Sequence, residues 1–116
     1  MSEVVGIGVD CEKISRFKNL NDMFFAKNFT KSEIEYCRKR KNSAQHFAGR
    51  FACKEAIIKA FGASGKKVTF GEIEITNDGN GAPKARILGE EANGTVAVVS
   101  ISHSDDMAIA FAVLRK

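Results

Sequence analysis

The sequence predicts an α+β domain, with one long central helix packed on a mainly antiparallel sheet. Three observations carry that prediction. The opening segment Val4-Val5-Gly6-Ile7-Gly8-Val9-Asp10 is apolar with a period of two, as a strand is. The stretch 44–61 is apolar around most of a helical circumference, so it forms a helix that must be buried. After Gly65-Lys66-Lys67 the pattern changes to short β-type runs separated by turn residues. A strand, then helices, then several strands is the order of an α+β fold. The chain has 116 residues and no repeat or linker composition, which suits a single domain, 1–116.

Each element has its own signal. In the first strand, 4–10, Val5, Ile7 and Val9 share one face, and Gly6, Gly8 and Asp10 share the other. Two glycines strip side chains from that second face, which marks a close approach by another backbone or a ligand. A short helix is expected over 11–20. Thr30-Lys31-Ser32-Glu33 has capping-box spacing, so a helix starts there and runs to about Lys41, its basic end complementing the helix dipole. Asn42-Ser43 offers a fresh N-cap for the long helix, and Gly62 ends it. Strands are expected near 72–76, 85–88, 96–102 and 107–114. Asp78-Gly79-Asn80-Gly81 makes a hairpin of the first two, and 102–106 is a polar turn joining the last two.

Composition narrows the function classes. A hydrophobic fraction of 44% with 28% charged residues excludes a disordered chain. No apolar run approaches the roughly 18 residues of a membrane span, and the first residues lack the pattern of a secretory signal, so a cytoplasmic location is expected. Cys11, Cys37 and Cys53 are odd in number and contain no C-x-x-C pair, so they read as reduced, buried residues rather than a disulfide or zinc framework. The net charge is +4, with Lys13, Arg16, Lys18, Lys27, Lys31 and the run Arg38-Lys39-Arg40-Lys41 in the first half. Such a distribution suits a solvated face or an acidic partner, either nucleic acid or protein.

Three places do not fit a purely structural role. Glu55 lies in an apolar helical stripe beside Phe51, Ala52 and Ile58, with Lys59 one turn on. A carboxylate there is costly unless it is paired, hydrogen-bonded or bound to a metal. Asp10 ends an apolar strand on its glycine-cleared face. Together the two acids suit magnesium, which keeps waters and phosphate oxygens in its shell. Zinc is not favoured, because no His or Cys ligand accompanies either acid. Ser100-Ile101-Ser102-His103-Ser104 gathers hydroxyls and an imidazole near a turn, where they could hold a phosphate. His46, on the long helix, reads as structural.

These segments, Gly6-Ile7-Gly8-Val9-Asp10 with Arg16, Phe47-Ala48-Gly49-Arg50-Phe51-Ala52-Cys53-Lys54-Glu55-Ala56 through Lys59-Ala60-Phe61-Gly62, and Ser100 to Ser104, resemble the holo-[acyl-carrier-protein] synthases. These are the small bacterial type of 4′-phosphopantetheinyl transferase, and the likeness covers nearly the whole chain. It implies the 4′-phosphopantetheinyl transferase fold. The implied reaction moves the phosphopantetheine arm of coenzyme A to a serine of apo acyl carrier protein, releasing adenosine 3′,5′-bisphosphate, in fatty acid biosynthesis. The resemblance makes Asp10 and Glu55 the Mg2+ ligands and Lys59 the lysine at the reacting phosphate. It puts Arg50 and His103, with Ser102 beside it, near the nucleotide phosphates, and Arg16 against the acidic carrier protein. It leaves the base for the serine proton open between Glu55 and a metal-bound water. It also implies a homotrimer whose sites lie between subunits, one supplying the carboxylates and the next the Ser102-His103 turn.

The sequence has its own departures from this pattern. Cys11 stands where an aliphatic residue is usual. Glu12 makes a D-x-E spacing like that of larger transferases of the superfamily, or serves as a helix-start acid. Asn80-Gly81-Ala82-Pro83 is a looser match to a turn near the adenine. The alternative is a small basic nucleic-acid-binding protein using Arg38 to Lys41, which lacks interleaved aromatics and leaves Asp10 and Glu55 without a purpose.

Overall fold

The glycines of the first strand and the helix that covers them decide the architecture. The computed structural model describes residues 3–89, 92 and 94–116. Strand β1 spans Val4–Lys13, helices α1, α2 and α3 span Asp22–Asn28, Lys31–Arg38 and Ser43–Gly62, and strands β2 to β5 span Ile73–Asn77, Pro83–Ile87, Val96–Ser104 and Met107–Arg115. A Cβ on Gly6 or Gly8 would collide with the carbonyl of Ala60 or Ala56, so these glycines let α3 lie directly on β1. The bare strand face therefore receives a helix backbone.

The strands form two antiparallel sheets, β1-β5-β4 and the hairpin β2-β3, rather than the one sheet expected. In β5 the even-numbered residues Ala108, Ala110, Ala112 and Leu114 are buried beneath α3, and small side chains there allow the close packing. The odd-numbered residues face away. Ile7, Val9, Phe111, Ile109 and Val98 make that outer face apolar and exposed, Ile7 by 61% and Phe111 by 46%.

A second core is aromatic. Phe17, Phe25, Phe29, Phe47 and Phe51 are buried together where α1 and α2 meet the first half of α3. The Thr30–Glu33 capping box is present. Glu33 does more than cap, however. Its carboxylate also accepts from Ile75 N at 2.8 Å and from Lys54 Nζ at 2.7 Å, and Lys54 and Glu33 are 0% and 1% exposed. Lys54 completes its bonds with the carbonyl oxygens of Asn28 and Phe70. Every charge in this pair is met, as burial requires.

Several boundaries differ from expectation. β1 runs to Lys13, because its pairing with β5 continues through Lys13 opposite Met107, so Glu12 lies in a strand and does not start a helix. The helix expected over 11–20 is a short 3-10 turn at Ile14–Lys18, and α1 was not foreseen. β4 extends two residues further, to Ser104, while β5 starts at Met107 as expected, leaving a tight turn at Asp105-Asp106, with Asp105 at φ 52°. Cys37 and Cys53 are buried, and burial pushes their thiols up to about 11 and about 12. Cys11 is exposed on the outer sheet face, against the expectation of burial.

Candidate active site

Asp10 is brought to α3 by the same glycine-cleared face that seats the helix. Lys59 Nζ donates to Asp10 Oδ1 at 3.0 Å and to the Val9 carbonyl at 3.1 Å. Lys59 thus reaches across to the strand; among the described residues no ion pair joins it to Glu55, one turn earlier. The hydrogen bond to Asp10 raises the Lys59 ammonium above its ordinary value. Asp10 Oδ2 is buried with no hydrogen-bond donor among the described residues.

Glu55 and Glu12 complete an acidic group around Asp10. Burial, followed by the charge of Asp10, lifts the Glu55 carboxyl above its usual range. Burial likewise pushes Glu12 up to about 7, with Asp10 adding to the shift and Arg16 opposing it. These are the marks of negative charge packed more closely than its surroundings neutralise. No cluster of three or more His, Cys, Asp or Glu among the described residues is arranged to hold a metal ion. The donors that do meet, a lone carboxylate oxygen of Asp10 and the nearby Glu55, suit a hard divalent cation whose remaining ligands come from water and substrate.

Arg16 lies on the 3-10 turn and not on a full helix. Its guanidinium donates to Glu12 at 2.8 Å and lies over the rings of Phe17, Phe24 and Phe51, with its side chain about half exposed. The aromatic core therefore holds this cation at the surface, near Glu12 and Glu55.

The other predicted residues fall on the opposite flank of α3. Arg50 and Glu55 are five positions apart, about 140° around the helix axis. Arg50, His46, Asn77, Pro83, Ile101 and His103 line a cavity of about 240 Å³ between α3, the β2–β3 turn and β4. Arg50 is 4% exposed, its Nη2 donates to Asn77 Oδ1 at 2.6 Å, and its buried Nε has no partner among the described residues. No ion pair among the described residues involves Arg50. Ser102 does not join His103 here. Successive strand residues point to opposite faces, so Ser102 lies beside Ile109 on the outer face.

Sequence reasoning missed His46 and Asn77 as lining residues. The i, i+4 spacing of His46 and Arg50 on one helix face was a usable signal for the first. A larger hollow of about 510 Å³, between the 3-10 turn and the start of α3, contains none of the predicted site residues. Within the basic run, Arg38 pairs with Asp22 at 3.3 Å and Arg40 lies on the Tyr36 ring. Among the described residues, no helix is long and apolar enough to cross a membrane.

The 4′-phosphopantetheinyl transferase superfamily matches residues 6–112. The holo-[acyl-carrier-protein] synthase of Geotalea daltonii is 40% identical, over 97% of this chain and 99% of its own length. The fatty acid synthase subunit alpha of Candida parapsilosis is also 40% identical, over 93% of this chain but only 6% of that much longer protein. Among solved structures, a holo-(acyl-carrier-protein) synthase from Bacillus anthracis in complex with CoA (3′,5′-ADP) superimposes with a TM-score of 0.82 at 33% identity, covering 97% of each chain.

Proposed function

The chain belongs to the 4′-phosphopantetheinyl transferase superfamily, and from that membership we infer that it is a holo-[acyl-carrier-protein] synthase. It transfers the 4′-phosphopantetheine arm of coenzyme A to a serine of apo acyl carrier protein and releases adenosine 3′,5′-bisphosphate. The observation that carries this reading is the meeting of Asp10, Glu55 and Lys59 at the β1–α3 contact, with an anion pocket around Arg50 on the other flank. The reaction belongs in the cytoplasm, where fatty acid biosynthesis draws on coenzyme A. Nothing in the site favours the nucleic-acid-binding alternative.

Asp10 and Glu55 are the residues that would hold Mg2+. The bound cation supplies charge neutralisation at a diphosphate. Lys59 is held by Asp10 and Val9 O with much of its side chain exposed, so its ammonium can swing onto a phosphate oxygen. Phosphoryl transfer depends chiefly on such positioning and on electrostatic stabilisation. Among this chain's own residues, Glu55 is the candidate to accept the serine proton. Arg50 and His103 bind the nucleotide phosphates, while Ser102, on the opposite strand face, would act toward a neighbouring subunit.

The test is incubation of apo carrier protein with coenzyme A and Mg2+, read as a mass gain of one phosphopantetheine on the carrier. No gain with folded protein and competent carrier overturns the reading.

Arg16 is the proposed contact for the acidic carrier. Replacement by alanine is expected to raise the carrier KM by roughly tenfold while leaving the coenzyme A KM near wild type, and added salt should mimic it. Equal KM values and salt responses in both proteins would remove Arg16 from the docking face.

The apolar outer sheet face is proposed to be covered by other copies of the chain in a homotrimer. The acid group and the Arg50 pocket lie on different flanks of α3, an arrangement that lets two subunits build one site. Mixed Asp10→Ala and His103→Ala subunits, each inactive alone, should then recover part of the activity. Failure after proven subunit exchange would mean that each chain works by itself.

A further inference from the structure

Among the described residues, the lining of the cavity beside Arg50 carries positive charge and no acid to balance it. Two guanidinium groups share the Tyr36 ring, Arg40 at 3.9 Å and Arg50 at 4.3 Å from its centre. The same ring meets the His46 imidazole edge to face at 5.8 Å. His46 is thus faced by Arg50 on its own helix, Arg40 from the segment between α2 and α3, Tyr36 from α2 and His103 from β4. None of these is a carboxylate. Burial, and then the neighbouring Arg50, Arg40 and His103, lower the imidazole below its ordinary value. These surroundings favour the neutral ring, and among the described residues the buried Arg50 Nε has nothing to donate to.

A dianion would reverse each of these penalties at once. It would accept from Arg50, screen the cations from one another, and make a second N–H on His46 favourable. Coenzyme A carries one group of this kind, the phosphomonoester on its ribose, whose second proton leaves near pH 6. Its diphosphate belongs to the Asp10–Glu55 flank in the reading above.

We propose that His46 is a phosphate-binding residue of this pocket, which takes up a proton as the ribose phosphomonoester of coenzyme A enters and so tunes affinity for that group. The proposal rests on the nucleotide-binding reading of the cavity and adds to it a residue on α3 that the sequence marked as structural.

Calorimetry of adenosine 3′,5′-bisphosphate binding tests it, at about pH 7.5 where the monoester is already dianionic. Buffers of different ionisation enthalpy report the proton count. The wild type should take up a fraction of a proton. His46→Gln should bind about tenfold more weakly, the usual scale of a lost charge-assisted hydrogen bond, with most of that uptake gone. Adenosine 5′-monophosphate, lacking the second phosphate, should bind both proteins alike. Independently of any variant, the His46 ring signals followed by NMR against pH in the wild type should titrate at higher pH when the bisphosphate is bound. Wild-type binding with unchanged affinity and uptake in His46→Gln, or an unmoved His46 titration, overturns the proposal and leaves the pocket reading intact. Failure of the wild type to bind the bisphosphate overturns both.

Discussion

Alanine at Asp10 or at Glu55 is expected to lower phosphopantetheine transfer by about a thousandfold, the scale of losing a charge-stabilising group at the reacting centre. Stability should not fall with it. Asp10 Oδ2 is buried with no hydrogen-bond donor among the described residues, and the Glu55 carboxyl is lifted by burial and by Asp10, so both acids are held in the fold at a cost. The variants should melt at or above the wild-type midpoint, as expected where strain serves function. The sign with pH follows. A carboxyl raised on folding favours the unfolded, ionised chain as pH climbs past the ordinary glutamate range. Metal-free wild type therefore loses a share of stability on that climb, and Glu55→Gln should lack that share. Single-turnover mass measurements and thermal melts decide the matter. Transfer within tenfold of wild type in either alanine variant would exclude the acid pair from the chemistry.

The second large effect concerns stability. Lys54→Met should cost about 3–5 kcal/mol, because it strands the Glu33 carboxylate in the core without its cation. The backbone N–H groups of Thr30 and Ile75 would remain as its donors, too little to replace a full charge. Adding Glu33→Gln should recover part of the loss, since the neutral amide can keep some of those bonds without demanding a counter-charge. Chemical denaturation of the single and double variants measures both steps. A loss below about 1 kcal/mol in Lys54→Met would mean that water or a rearranged side chain neutralises Glu33.

Much of the site was legible because its signals are local. Gly6 and Gly8 announced a close approach before the helix that makes it was known. Glu55 stood out because a carboxylate in an apolar stripe needs a reason. Glu12 and Ser102 were harder: whether each continues a strand, and on which face, depends on pairing with β5, and pairing is a long-range property. Lys54 gave no warning, because its partner Glu33 lies 21 positions earlier on another helix.

The one-dimensional pattern determined the α+β class, the long buried helix, the capping box and the pair of acids, since each follows from residue type and spacing within a turn or a strand. Only the tertiary structure decided that Lys59 turns to Asp10, that Arg16 rests on three phenylalanine rings, and that His46 belongs with Arg50 and His103. Those outcomes depend on which segments pack together, because burial and nearby charge come from groups remote in the chain.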